Sequence, residues 1–332
     1  MADQQGVLVA GELSGDQLSS SSSELLAHGR KLADALGEPL SIALLSDSLG
    51  AQPQEAIAYG ADKVYAITDP LLSDSSQHDA TLAALANLVT ENSLRIVLFG
   101  KTPSGLTVGP RLAFRLDAGL AQDCLEVNVD DQKRLVADRP VFGGSCMATV
   151  VCEGSPSMAI IRLKTAEPLD RDDSRQGEIS EIQPGLDASL MKVKILDRVE
   201  DKAEGLQLED AEIIVSGGRG LGGPEPFQNE LKDLADILGG AVGSSRAAVD
   251  IGWVPYSYQV GLTGKSVAPN IYIAVGISGA SQHMAGCSGS KAIVAINKDE
   301  NANIFKDASY GVVGDWEKVL PAFIETVREL KQ

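Results

Sequence analysis

The sequence predicts two consecutive α/β domains, each built on a largely parallel sheet. Two observations carry that prediction. Short apolar, β-branched runs alternate with helix-period segments up to Phe99 and again from Ala211 onward, the pattern of βαβ units. A charge-rich stretch with little apolar content, 197–210, separates the two series. The length of 332 residues agrees, since domains of ~100–200 residues are usual. The expected division is 1–200 and 201–332.

In the first domain, 6–10 reads as a buried strand, 24–36 as a helix through Leu25, Leu26, Leu32 and Leu36, and 40–45 as a strand. The serine run at 19–23 reads as a solvated loop leading to a helix cap. A helix at 54–59, a strand at 63–67, a helix at 79–88 and a strand at 94–99 continue the alternation. The loop KTPSGLTVGPR then leads into a helix over 105–116. From Cys124 the texture changes. The runs 125–129, 147–151 and 158–163 have no helix-length segments between them, so they predict an antiparallel addition to the first sheet. Arg139 to Gly144 reads as a turn at its edge, 170–185 as surface loop, and 192–196 as one more strand. His28 and His78 lie in polar surroundings and read as solvated.

The second domain opens with a strand at 211–215 running into SGGRG. The spacing of Gly217 and Gly220 is unlike GxGxxG, and no acidic residue ends a second strand where a Rossmann site needs one. An amphipathic helix at 227–238 follows, then strands at 271–275, 291–297 and 310–313, and a final helix at 316–330. Ligands of open α/β sheets bind beyond the carboxyl ends of strands. Ser216, Ser245, Gly276, Asn297 and Asp315 all fall at such ends. The stretch 276–283, GISGASQH, offers backbone N–H groups and a serine hydroxyl at the start of a helix, which suits a phosphate. Arg246 and His283 flank the glycine-punctuated loop Gln259-Val-Gly-Leu-Thr-Gly-Lys265, where a flat ligand can approach the backbone. These residue types fit a nucleotide cofactor with a redox-active ring.

Composition narrows the function classes. A formal net charge of −18 argues against a nucleic-acid binder, which needs clustered Lys and Arg. No apolar run approaches the ~20 residues that span a bilayer, so membrane insertion is not expected. The start of the chain lacks the pattern of a secretory or transit segment. Cys124, Cys146, Cys152 and Cys287 form no CxxC pair, so a metal ribbon or cluster is not expected. The chain reads as cytoplasmic, with Cys287 a small core residue and Trp253 and Trp316 packing groups.

VSGGRGL, SRAAVD, QVGLTGK, IYIAVGISGASQH and IVAINKD together resemble the α subunit of electron-transfer flavoproteins, over nearly all of 211–332. The first domain resembles that family more loosely, through TPSGLTVGPRLAFRLDAGLAQD and RPVFGG. The resemblance implies a doubly wound, deoxyhypusine-synthase-like second domain that binds one FAD, and a first domain that pairs with a β subunit in a heterodimer. It implies a bacterial or archaeal electron carrier, serving fatty acid β-oxidation or flavin-based bifurcation from NADH. Its partners would be a flavin dehydrogenase and a second acceptor, with a membrane quinone oxidoreductase among the candidates. The stretch 197–210 would then be the hinge on which the flavin domain swings.

Carried over residue by residue, the resemblance gives roles to these positions. Arg219 lies toward the pyrophosphate. Ser245 and Arg246 lie by the flavin, with the guanidinium over the ring. Gln259, Val260, Gly261, Leu262 and Thr263 line the ring, and the Thr263 hydroxyl reaches N5. Ser278, Gly279, Ala280, Ser281, Gln282 and His283 cradle phosphate and ribityl, with His283 at the pyrimidine carbonyl. Asn297 and Asp315 lie toward the adenosine half, and Asp315 is also a natural helix N-cap. Leu262 departs from the family, since many members carry Gln there. Two other classes stay open. One is an NAD-dependent oxidoreductase using the same sheet edge, for which neither a second His nor paired carboxylates stand near the site. The other is a nucleotide-sensing module, which would leave Arg246, Thr263 and His283 unexplained.

Overall fold

The computed structural model describes residues 5–74, 77–144, 146–193, 195–196 and 206–331. The chain divides into two compact units, Met1–Val141 with Cys146–Arg198, and Phe142–Ser145 with Val199–Gln332. Most of the segment expected to be a hinge, 197–205, lies outside the described residues.

The first unit carries a seven-stranded parallel sheet. Its strands are Val7–Ala10 (β1), Leu40–Ser46 (β2), Lys63–Thr68 (β3), Ile96–Gly100 (β4), Gly119–Cys124 (β5), Ser157–Ile161 (β9) and Glu178–Ile182 (β10). They lie in the order β10-β3-β2-β1-β4-β9-β5. VLVA in β1 and IVLFG in β4 are buried at every residue, because helices cover both faces of a parallel sheet. Those helices are Ser20–Leu36 (α1), Gln52–Ala58 (α2), His78–Glu91 (α3) and Pro103–Leu116 (α4).

The antiparallel strands do not extend this sheet. Glu126–Val129 (β6), Leu135–Val141 (β7) and Cys146–Val151 (β8) form a sheet of their own, with Val127, Leu135 and Ala137 buried in the core beneath it. After that excursion the chain inserts β9 between β4 and β5, parallel to both. The segment 139–144 therefore ends a strand and turns only at Phe142–Gly144. The segment read as loop contains the edge strand β10, which pairs with β3 through an alternating, half-exposed EISEI. No strand forms at 192, 193, 195 or 196, where Val193 and Leu196 are exposed and have no neighbouring strand to pair with.

The serine run is the first turn of α1 rather than loop. Ser19 is the N-cap and accepts from Ser22 N, while Ser22 Oγ accepts from Glu12 N at 2.7 Å and donates to Glu12 O at 2.9 Å. Those bonds bury Ser22. Gly37, at φ 68°, closes the same helix in the left-handed conformation. His28 is buried rather than solvated, with Nε2 3.0 Å from the Thr165 hydroxyl, and burial lowers its pKa. His78 is half-buried at the start of α3.

The second unit is a five-stranded parallel sheet of Ile213–Gly217 (β11), Ala241–Ser244 (β12), Ile271–Val275 (β13), Ala292–Asn297 (β14) and Tyr310–Val313 (β15), in the order β12-β11-β13-β14-β15. Strand alternation separates its two cores. Val215, Ile273 and Val275 meet Glu230–Leu238 (α6) and Trp316–Leu330 (α10), with Trp253 and Trp316 packed against them. Ile214, Tyr272 and Ala274 meet Met284 and Cys287 of Ser281–Cys287 (α8) and Ile304 of Ile304–Asp307 (α9). Cys287 is fully buried, and burial pushes its thiol up to about 12, as suits a core residue. The helix read over 227–238 is broken at Asn229 into Glu225–Gln228 (α5) and α6.

Candidate functional site

The order β12-β11-β13 reverses direction at β11, and in open α/β sheets ligands bind beyond the carboxyl ends of the strands at such a switch point. A cavity of about 700 Å³ opens there. That volume is in the range of small-molecule and cofactor sites, ~300–1,000 Å³.

Each wall has a local reason. Gly218 and Gly220, after β11, pack against the turn after β13, where Gly276 has φ +64°. A Cβ on Gly218 would stand 2.2 Å from the Gly276 carbonyl oxygen, so the two loops cross only as bare backbone. Arg219 and Gly220 reach the cavity from that crossing. After β12, Ser245 opens the short helix Arg246–Asp250 (α7). Arg246 and Asp250, four residues apart, lie on one face of it; Arg246 Nε is 3.2 Å from Asp250 Oδ2, and both side chains are exposed.

The loop 259–265 is pinned at several points. Val260 N donates to Ser244 O at 2.9 Å, Gly261 N to Lys265 O at 3.1 Å, and Leu262 N to Gln282 O at 2.7 Å. Gln259 Nε2 donates to Thr263 Oγ1 at 3.1 Å, which leaves the Thr263 hydroxyl proton free to be donated outward. The Tyr256 hydroxyl fixes the Thr263 carbonyl. Leu262 presents an apolar side chain at the cavity, 41% exposed.

Beyond β13, Ile277 and Ser278 lead into α8, whose first N–H groups, at Ser281 and Gln282, precede any intrahelical acceptor. His283 is 6% exposed. Its Nε2 lies 3.0 Å from the Tyr272 hydroxyl, and its Nδ1 is buried with no partner in hydrogen-bonding geometry. Burial pushes its pKa down to about 4, against a weaker pull from the Val260 carbonyl, so the ring is neutral at physiological pH.

The cavity brings together Arg219, Ser245, Arg246, Gln259, Val260, Gly261, Leu262, Thr263, Ser278, Ala280, Gln282, His283 and Asn297. Three expected residues do not line it. Gly279, at φ +78°, faces the backbone of Ile304, and Ser281 is exposed at the start of α8. Asp315 caps α10, accepting from Glu317 N at 3.2 Å. Asn297 is held by its own fold, donating from Nδ2 to Ile277 O at 2.9 Å. Asp250, Ile277, Asp299 and Ala302 line the cavity without having been singled out. The i,i+4 spacing from Arg246 was the available signal for Asp250.

A parallel sheet with a lined crevice at its switch point defines a nucleotide-cofactor-binding α/β protein. Residues 7–186 match the electron transfer flavoprotein domain, and residues 207–288 match the electron transfer flavoprotein FAD-binding domain. The chain is 42% identical over its whole length to the electron transfer flavoprotein subunit alpha of Thermoanaerobacterium thermosaccharolyticum, covering 100% of both chains. It is 42% identical to the corresponding subunit of Megasphaera elsdenii, covering 100% of this chain and 98% of that one. It is 37% identical to the acryloyl-CoA reductase electron transfer subunit beta of Anaerotignum propionicum, over 93% and 91% of the two chains. The chain belongs to the electron transfer flavoprotein α-subunit family.

The cofactor of that family is FAD. The site fits it on the residues present: backbone crossings bare of side chains, a cation, a hydroxyl proton free for donation, and an orphaned buried imidazole nitrogen. Among the described residues no helix is long and apolar enough to cross a membrane.

Proposed function

We propose that this chain is the FAD-holding half of a heterodimeric electron carrier in the cytoplasm, with no substrate chemistry of its own. Residues 201–332 hold the cofactor, and residues 1–200 contact a β subunit. The convergence of Arg246, Thr263 and His283 on one cavity carries this reading. Bound there, FAD would supply the redox chemistry that passes electrons between a flavin dehydrogenase, or NADH if bifurcating, and a second acceptor. The chain supplies binding and electrostatics. Arg246 places a permanent positive charge at the cavity, Thr263 offers a hydroxyl proton, and the N–H groups that open α8 would suit a phosphate.

The β-subunit contact is supported by the outer face of the antiparallel sheet, where Met147 and Val151 are exposed, and by Phe114 on α4, 91% exposed. Co-expression with an electron transfer flavoprotein β subunit and a visible spectrum of the purified complex test the function. Flavin absorbance that Arg246→Ala perturbs supports it, and a colourless complex overturns it.

A further inference from the structure

This inference rests on the FAD-carrier reading. The loop 259–265 brings Gln259, Val260, Gly261, Leu262 and Thr263 to the cavity, and its backbone closes on Lys265. Lys265 N donates to Gln259 O at 2.7 Å, and Lys265 O accepts from Gly261 N at 3.1 Å. A Cβ on Gly264 would stand 2.4 Å from Gln259 O, so this closure is backbone against backbone. Two bonds tie the loop and its exit to α8, Leu262 N to Gln282 O and Val267 N to Gly286 O, each 2.7 Å. By themselves they let loop and helix move as one body. The Lys265 side chain, which does not line the cavity, makes the tie to a different element. Its Nζ lies 2.7 Å from Glu209 Oε2 and 3.4 Å from Gln207 Oε1, on the segment that leads into β11. That segment is itself held in place. Asp210 N donates to Gln207 O at 3.2 Å, and Leu208 is buried in the same core as Val260 and Val267.

We propose that Lys265 is a positioning residue for the cofactor: its ion pair with Glu209 fixes the loop 259–265 against the segment before β11, so that Thr263 and the Gly261 backbone meet the flavin in one arrangement. The partners stand 56 residues apart, so no local helix or turn geometry brings them together. The pair is also sheltered. Lys265 is 22% and Glu209 40% exposed, and a partly buried pair is screened less than a surface one. Lys265 thus has two jobs in one residue. Its main chain closes the loop, and its side chain anchors what the main chain has closed. The charge it carries acts on Glu209 and not on the ligand, which leaves Arg246 to set the charge at the cavity.

Hydrogen–deuterium exchange of the complex with an electron transfer flavoprotein β subunit, together with a fluorescence titration of FAD, tests this. In Glu209→Ala, which lies outside the cavity, the amides of 259–265 should exchange about tenfold faster in the absence of FAD. The FAD dissociation constant should rise about threefold, as expected when the loop holds its binding arrangement about a third of the time. Lys265→Met should match Glu209→Ala, and Lys265→Arg, which keeps a cation for Glu209, should stay near the wild type. Lys265→Met added to Glu209→Ala should change little more, because one interaction is lost only once. The amides of β11 should exchange as in the wild type, which separates a loosened loop from a loosened fold. Unchanged loop exchange or unchanged FAD affinity in Glu209→Ala overturns the proposal. So do additive effects of the two substitutions, and equal loosening of β11. A complex that binds no FAD defeats the carrier reading instead, and leaves the exchange result to decide whether the pair holds the loop.

Discussion

Arg246 has no apolar wall to shield it. Its side chain is 65% exposed, and Asp250 shares its charge at 3.2 Å. Two unit charges ~4 Å apart interact by roughly 4 kcal/mol at an effective dielectric of ~20, and exposure and the neighbouring carboxylate cut that severalfold. Arg246→Ala should therefore lower the first reduction potential of the bound flavin by about 40 mV, near the low end of a roughly 40–130 mV range for a shielded cation. Arg246→Lys should recover part of this, since it restores charge without the flat guanidinium. Reductive titration reads both, and an unchanged potential in Arg246→Ala would remove Arg246 from the site. His283 makes a different prediction. Its folded pKa, about 4, lies below the ordinary 6.5, so as pH falls through that window the unfolded chain takes up a proton that the folded chain refuses. Stability is full above 6.5 and declines toward 4. Between pH 7 and pH 5 the wild type should lose roughly 2 kcal/mol more than His283→Gln. Equal losses in denaturant titrations of the two proteins would contradict the burial of the ring.

At the scale of elements, α1 shows how one cap organises a corner. Ser19→Ala removes the acceptor for Ser22 N and should cost ~1 kcal/mol, read as a lower denaturation midpoint. Ser22→Ala should cost more, because it strands the half-buried Glu12 N–H, while Glu12 O keeps Ser19 N as a partner. The same corner shows where sequence reading stops. A serine run has the composition of a loop, and the Ser19 cap together with the bonds of Ser19 and Ser22 to Glu12 holds it as helix. The parallel strands 40–46, 271–275 and 310–313 were legible because they are short apolar runs bounded by turn residues. β5 was not read, and β9 was read as a strand but placed in an antiparallel addition, because the chain reaches it through an antiparallel excursion rather than a helix, and local pattern carries no trace of which sheet a strand joins. β10 reads as loop because an edge strand needs only one buried neighbour. In the site, glycine-bearing loops were legible because backbone approach demands glycine. Tyr272 was hidden inside an apolar strand, since its meaning lies in a contact with residue 283.

For the whole molecule, the exposed Met147, Val151 and Phe114 predict that the chain does not stay alone. Light scattering after size exclusion should show a one-to-one complex on co-expression, and a chain that remains monomeric beside its β subunit would refute this. The cavity walls have another consequence. They come from loops at 219–220, 245–250, 259–263, 276–283 and 297–302, so residues spread over most of the second unit meet only around the space they enclose. A ligand held there by all of them binds the folded chain and not the unfolded one, and mass action converts its affinity into resistance to melting. At a free FAD concentration 100 times its dissociation constant the gain is about 2.7 kcal/mol. Colour and heat resistance should then rise together through a flavin titration, and cells short of flavin should degrade this chain before they run short of its message. In that sense the cofactor proofreads the chain that carries it.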